Sequence, residues 1–162
     1  SLFLDSDFLV RADIFDLLQQ IDPNKAVSVV KHNYEPKTEK KFLNQKQTRY
    51  ERKNWSSFML FNNAKCGVLS PDIVNSSTGL YLHRFKWLAD EEIGDIDVSW
   101  NYLVGEYPCV PEDQVNALHY TIGGPYFEDY KNTDYAECWF SEYSDMVRPI
   151  CQRKFKQIRK EN

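Results

Sequence analysis

No two cysteines of this chain stand close enough to form a CxxC element. Cys66, Cys109, Cys138 and Cys151 are widely and unevenly spaced, which argues against a zinc knuckle. A chain of 162 residues can bury a sizeable core without disulfides, so these are expected to be reduced, mostly buried thiols in a cytoplasmic protein. No apolar run approaches the roughly 18 residues that a membrane span requires, so no transmembrane segment is expected. The opening residues read neither as a signal peptide nor as a twin-arginine stretch. Positive charge is not in excess: the net charge is −4 and the isoelectric point near 5.4, which excludes a general nucleic-acid binder. Internal repeats and domain linkers are also missing, and the length suits one domain.

Aromatic residues, by contrast, are plentiful. Ten Tyr, ten Phe and four Trp make up 15% of the chain, enough for a core that doubles as a wall for rings or sugars. With 42% hydrophobic and 27% charged residues the chain is expected to fold.

Strand and helix patterns alternate along the sequence. Leu2-Phe3-Leu4 reads as a buried strand of the kind found in the middle of a sheet. Such a strand needs neighbours on both sides, so the sequence is expected to be trimmed or incomplete before Ser1. Arg11 to Asp22 reads as an amphipathic helix with Asp13 as N-cap and Ile14, Leu17, Leu18 and Ile21 on one face, ended by Pro23 and Asn24. Ala26 to His32 and Trp55 to Asn62 read as strands, separated by a polar loop at 33–54. Ser70-Pro71 opens a short helix that Gly79 closes, and Leu82 to Leu88 reads as helical. Further strands are expected at Trp100 to Val104 and Ala117 to Thr121. Asp134 with Glu137 forms a capping box for a helix over 135–147, followed beyond Pro149 by a basic tail with Arg153, Lys154, Lys156, Arg159 and Lys160. The class is α/β.

The chemistry concentrates at Leu4-Asp5-Ser6-Asp7. Strand residues two apart point the same way, roughly 7 Å apart at Cα. Two carboxylates so placed repel unless a cation sits between them, and Mg²⁺ or Mn²⁺ takes such oxygen ligands. A bare DxD is equally a solvated strand end in which Asp shapes the turn. His119, at a strand end before Gly123-Gly124-Pro125, offers a third ligand, a neutral imidazole suited to Mn²⁺. His32 and His83 read as ordinary core or surface histidines.

Four blocks together resemble the family 8 type of nucleotide-sugar glycosyltransferases, the glycogenin and galactosyltransferase-like group with a GT-A fold. Phe3-Leu4-Asp5-Ser6-Asp7-Phe8-Leu9 is similar to that family's "YLDADxLV" block, and Trp55 to Asn62 to its "FNSGVMLxN" strand. Val98-Ser99-Trp100-Asn101-Tyr102 is similar to its "LPxxWN" segment, and His119 to Tyr126 to its "HFTGxxKPW" block. The resemblance covers nearly the whole chain. It implies a GT-A-like mixed sheet flanked by helices, with residues 1–148 as the C-terminal part of the domain, 149–162 as the basic tail, and the nucleotide-gripping N-terminal strands before Ser1. It also implies that Asp5, Asp7 and His119 hold Mn²⁺ (or Mg²⁺) against the diphosphate of a sugar-nucleotide donor, expected to be a UDP-sugar. Ser6, Asn54, Ser56, Ser57, Gly123 and Gly124 are the substrate-binding candidates, Gly123 and Gly124 through backbone N–H groups that reach the diphosphate. The acceptor would be a saccharide or other hydroxyl.

The family's phosphate-contacting Lys has no counterpart in the last block, and Lys131 is the candidate substitute. Its "DQD" block is replaced by Leu82 to Leu88. No catalytic base is assigned: Asp90, Glu91, Glu92, Asp95 and Asp97 form an acidic run that reads by default as a solvated loop. Trp87, Trp100, Tyr126 and Trp139 are either sugar-stacking or core residues. The lysine- and arginine-bearing loop at 33–54, Lys41 included, is either a phosphate- or acceptor-facing lid or solvated surface. Two other classes compete: a non-catalytic sugar- or nucleotide-binding relative, and a hydrolase of the haloacid dehalogenase type, whose Gly and Thr or Val after the second Asp are here Phe8 and Leu9.

Overall fold

Two small mixed sheets, joined by the turn that carries Asp5 and Asp7, organise the chain. The computed structural model describes residues 1–158, with side chains through residue 148. The first sheet contains β1 (Leu2–Leu4), β3 (Val27–Val29), β4 (Phe58–Phe61) and β5 (Ile93–Asp95), in the order β1-β4-β3-β5. In it β4 runs antiparallel to both β1 and β3, and β5 runs parallel to β3. The second contains β2 (Phe8–Val10), β6 (Tyr102–Leu103) and β7 (Ala117–His119), in the order β2-β7-β6. Here β2 is antiparallel and β6 parallel to β7.

Alternation along the strands divides the core. Val27 and Val29 face one side of the first sheet, where they pack with Phe85, Trp87 and Ile93. Val30 and Phe58 face the other, where Leu17, Ile96, Trp100 and Ala117 fill the space toward the second sheet. Beyond the second sheet, Leu118, Tyr120, Tyr102, Val104 and Val115 form a third cluster against which Trp139 packs.

The short helices are α1 (Ile14–Leu18), α2 (Pro71–Ser76) and α3 (Gly79–His83), and the long one is α4 (Ala136–Ile158). Asp13 caps α1 by accepting from the Phe15 N–H, and Ser70 caps α2 by accepting from Ile73. The expected helix to Asp22 stops at Leu18 because its apolar face meets a core that needs one turn: Leu17 is buried while Phe15 stays exposed. Gly79 does not close α2. Ser77 ends that helix, and Thr78 caps a new one beginning at Gly79. The helix expected over Leu82 to Leu88 breaks at Phe85, whose φ of 54° turns the chain inward and buries its ring. The segment Trp55 to Ser57 is a 3₁₀ turn rather than strand, because Asn54 adopts a left-handed φ of 61° and its carbonyl accepts from the Ser57 hydroxyl. The helix over 135–147 continues through Pro149 to Ile158. Arg159 and Lys160 of the basic tail lie outside the described residues, and the tail's side chains, with that of Cys151, lie outside the described side chains. Cys66, Cys109 and Cys138 are free, and Cys109 is exposed.

Among the described residues β1 pairs on one side, with β4, and its other side is open, with Phe3 47% exposed. Its apolar run covers only one partner, β4.

The 33–54 loop is fastened at a few points, although most of its residues are exposed. Glu106, only 4% exposed, accepts from the Lys37 N–H (2.9 Å) and from Gln47 Nε2 (2.7 Å). Between those anchors a Lys40–Lys46 bridge and a bond from Lys41 N–H to the Gln45 carbonyl fold residues 39–47 into a narrow hairpin. His32, at the loop's base, is buried with Nδ1 2.7 Å from the Tyr107 hydroxyl, and its Nε2 meets no partner. Burial, reinforced by nearby His119, pushes this imidazole down to about 3. The unfolded chain therefore binds a proton below about pH 6.5 that the folded chain refuses until about 3. The stability from keeping His32 neutral is complete above pH 6.5 and is lost as pH falls from there toward 3. Urea unfolding should show the protein losing about 2 kcal/mol more between pH 7 and pH 5 than a His32→Gln variant does. Equal losses would show that His32 titrates normally.

Candidate metal centre

Asp5 and Asp7 leave the sheets at the crossover between β1 and β2, so they sit on a turn and not on a strand as the spacing suggests. Two backbone bonds fix that turn. The Asp5 N–H donates to the Ser57 carbonyl (2.9 Å), and the Asp7 carbonyl accepts from the Tyr120 N–H (3.0 Å). The first ties the turn to the start of β4, and the second ties it to the end of β7, where His119 lies. One carboxylate oxygen from each aspartate and one ring nitrogen of His119 all lie within 4.8 Å of one another. His119 Nε2 is 3.4 Å from Asp7 Oδ1. Among the described residues this is the one such cluster of three His, Cys, Asp or Glu ligand groups.

His119 is held from behind. Its Nδ1 lies 2.9 Å from Asn101 Oδ1 in a fully buried contact. Asn101 Nδ2 in turn donates to Ser57 Oγ (2.9 Å) and to the Asn54 carbonyl (3.3 Å). Because the amide nitrogen is spent on those two acceptors, the amide oxygen faces the ring. In its neutral form the imidazole then carries its proton on Nδ1 and presents the lone pair of Nε2 to the aspartates, whereas in its protonated form Nε2–H points at Asp7. Phe8 stacks on the ring at 4.3 Å, fixing its plane.

The carboxylates differ electrostatically. Burial pushes the Asp5 carboxyl above its usual range, with Asp7 adding repulsion against the pull of His119 and Lys41. At Asp7 burial also works upward, but the hydrogen bond and charge of His119 outweigh it and hold the carboxyl below the usual value. Two carboxylates and one imidazole make a donor set suited to Mn²⁺, and acceptable to Mg²⁺.

The remaining candidates fall into two groups. Asn54 and Ser57 are buried and supply the support behind His119 rather than an open face. Ser56 and Asp5 border an apolar cleft of about 350 Å³ whose walls include Phe3, Met59, Phe85 and Trp87, and Ser6 is exposed on the turn itself. Gly123 and Gly124 are required by aromatic packing. A Cβ on Gly123 would lie 2.7 Å from the Tyr130 ring, and one on Gly124 would collide with Tyr126. Trp100 and Trp87 are core residues, whereas Tyr126 and Trp139 face each other at 5.5 Å with Tyr126 half exposed. The acidic run is spent locally: Asp90 pairs with Arg52, Asp95 with Lys31, Glu92 bonds the Ala89 N–H and Asp97 caps Ser99. Lys131 pairs with Glu128. The cation that does reach the centre is Lys41, whose Nζ donates to Thr121 Oγ1 at 3.0 Å. Neither it nor Asn101 was marked by motif spacing beyond membership of a basic loop and of the Trp100-Asn101 pair, and nothing in the local sequence marks Glu106.

The chain is similar to Protein CDI of Arabidopsis thaliana. The two are 46% identical over 150 residues, which is 90% of this chain and 58% of the relative, so the chain spans a little over half that protein's length. No family model matches the chain, and no solved structure does. No helix among the described residues is long and apolar enough to cross a membrane.

If Asn101 sets the imidazole's tautomer, Asn101→Leu should lower Mn²⁺ affinity about 10–100-fold and destabilise the fold by about 1–3 kcal/mol through the unpaired Nδ1 donor. Asn101→Asp, which keeps an acceptor in place, should retain most of the affinity. Isothermal titration with Mn²⁺ alongside urea unfolding measures both, and an affinity unchanged in Asn101→Leu would remove Asn101 from the site.

Proposed function

We propose that the protein is a nucleotide-sugar glycosyltransferase with a GT-A-like fold, taking a UDP-sugar as donor and a saccharide or other hydroxyl as acceptor. The observation that carries this reading is the convergence of Asp5 and Asp7 from one turn and His119 from a strand end more than a hundred residues later into one set of ligand atoms within 4.8 Å. It is supported by the order of the four sequence blocks, and by the free thiols at Cys66, Cys109 and Cys138, which suit a cytoplasmic setting.

Each residue then has a task. Asp5, Asp7 and His119 would hold Mn²⁺ or Mg²⁺, which when bound supplies Lewis-acid stabilisation of the charge developing on a departing nucleoside diphosphate. Asn101 keeps the His119 lone pair directed at the site. Ser6 and Ser56, which flank the aspartates without structural bonds of their own to spend, are the groups available to sugar hydroxyls. Tyr126, half open to solvent and inclined against Trp139 at 51°, offers an aromatic face for a sugar ring. A retaining transfer, which the resemblance implies, needs no dedicated base, in keeping with the local bonds of Asp90, Glu92, Asp95 and Asp97.

The test is a thermal-shift screen of UDP- and GDP-sugars with and without Mn²⁺. Donor and metal together should raise the melting temperature by several degrees, the scale of a ligand present at about a hundred times its dissociation constant. Neither alone should do so, and Asp7→Asn and His119→Gln should abolish the shift. A shift that survives in Asp7→Asn sinks the reading. Metal-dependent hydrolysis of the bound sugar nucleotide marks an enzyme; binding without turnover marks a non-catalytic relative. A phosphoryl group trapped on Asp5 marks a phosphohydrolase instead.

A further inference from the structure

We propose that Lys41 makes tight binding of the divalent ion conditional on a diphosphate, because its ammonium occupies the field of Asp5 and Asp7 until an anion bridges both cations. This inference rests on the metal-centre reading above and adds a residue from a part of the chain that none of the sequence blocks includes.

The geometry holds Lys41 firmly. The Phe42 N–H donates to the Ile122 carbonyl (2.8 Å), and the Phe42 ring stacks on Phe127 at 4.9 Å. These contacts dock the hairpin on the segment just beyond β7. The Lys41 ammonium donates to Thr121, two residues past His119, so lysine and histidine are fixed to the same strand end. An ammonium has three N–H donors, and Thr121, a neutral hydroxyl, takes one. The charges facing it are Asp7, Glu106 and Asp5, with Lys53 beyond. Glu106 accepts only from neutral donors, the Lys37 N–H and Gln47, so it keeps its charge; Lys53, which also faces it, offsets that charge and leaves the two aspartates to be balanced against an ion and Lys41.

Charge arithmetic gives the consequence. Asp5 and Asp7 together balance a doubly charged ion, so Lys41 leaves the loaded centre with a surplus of one positive charge. A bare ion and the fixed ammonium repel across a half-buried site, where screening by water is weak. A diphosphate removes the conflict, since its oxygens can meet the ion and the free N–H donors of Lys41 together. Metal and diphosphate are therefore coupled, and by linkage each raises the other's affinity by the same factor.

Removing the charge should raise the affinity for bare Mn²⁺ while shrinking the gain from nucleotide, so that the affinity with nucleotide stays about level, a pattern that no merely structural role would give. Mn²⁺ binding to the full chain can be followed by the loss of the free-ion EPR signal, without nucleotide and with UDP, or GDP in parallel. In the parent protein the nucleotide should tighten Mn²⁺ binding by at least about tenfold. In Lys41→Met, bare Mn²⁺ should bind roughly threefold to tenfold tighter, while the gain from nucleotide should shrink by about the same factor. Lys41→Arg should behave as the parent. Lys41→Gln, which keeps a hydrogen-bond donor without the charge, should repeat the paired signs of Lys41→Met even if the methionine variant folds poorly. A bare-ion affinity that falls, or a nucleotide gain that does not shrink, overturns the proposal while leaving the metal centre standing. A parent protein that binds no Mn²⁺ in either condition overturns the metal centre and this proposal with it.

Discussion

A buried asparagine between a histidine and a serine determines what the rest of this site can be. Asn101 spends its amide nitrogen on Ser57 and Asn54 and thereby turns its oxygen to His119. That one orientation settles which ring nitrogen is free, and so whether the imidazole can join Asp5 and Asp7 as a third donor. The network links β4's entry turn, the turn before β6, and the end of β7, and all three of its side chains are buried. A polar chain in such surroundings is costly unless complete, and here each of the contacts between the three residues is made. The open coordination face is the side turned to the aspartates.

Much of this arrangement was written in local sequence. The alternation of Val27, Val29 and their neighbours and the caps at Asp13 and Ser70 are short-range features that reappear in the structure, and the strand expected over Ala117 to Thr121 is present from Ala117 to His119. The pairing of Asp5 with Asp7, and the special place of His119 before two glycines, were equally legible. What local pattern could not convey was which sheet each strand joins. Leu2-Phe3-Leu4 reads as a strand from its apolarity, but nothing in it names β4 as the strand it pairs with. The helix over 11–22 and the strand from Trp55 were overdrawn for a related reason. Periodicity marks a face, whereas the length of an element depends on how much partner surface awaits it, and on backbone turns such as that at Asn54.

The 33–54 loop shows the limit most clearly. Its composition is that of a solvated surface, and its fastening depends on Glu106, a buried carboxylate about sixty residues later with no motif around it. Only the fold brings that residue under the loop. Gly123 and Gly124 carry a similar lesson in reverse. Their presence was legible, yet the close approach they permit here is by the rings of Tyr130 and Tyr126 from the same stretch of chain.

The Asp5–Asp7 turn has one further property, which comes from its position and not from its charges. It is the strand-to-strand connection by which the chain leaves one sheet and enters the other, and its two backbone bonds reach one member of each. Anything that draws the two carboxylates and the imidazole together pulls on both layers across their shared seam. An ion held there would tie the two sheets together at that seam, as a rivet does.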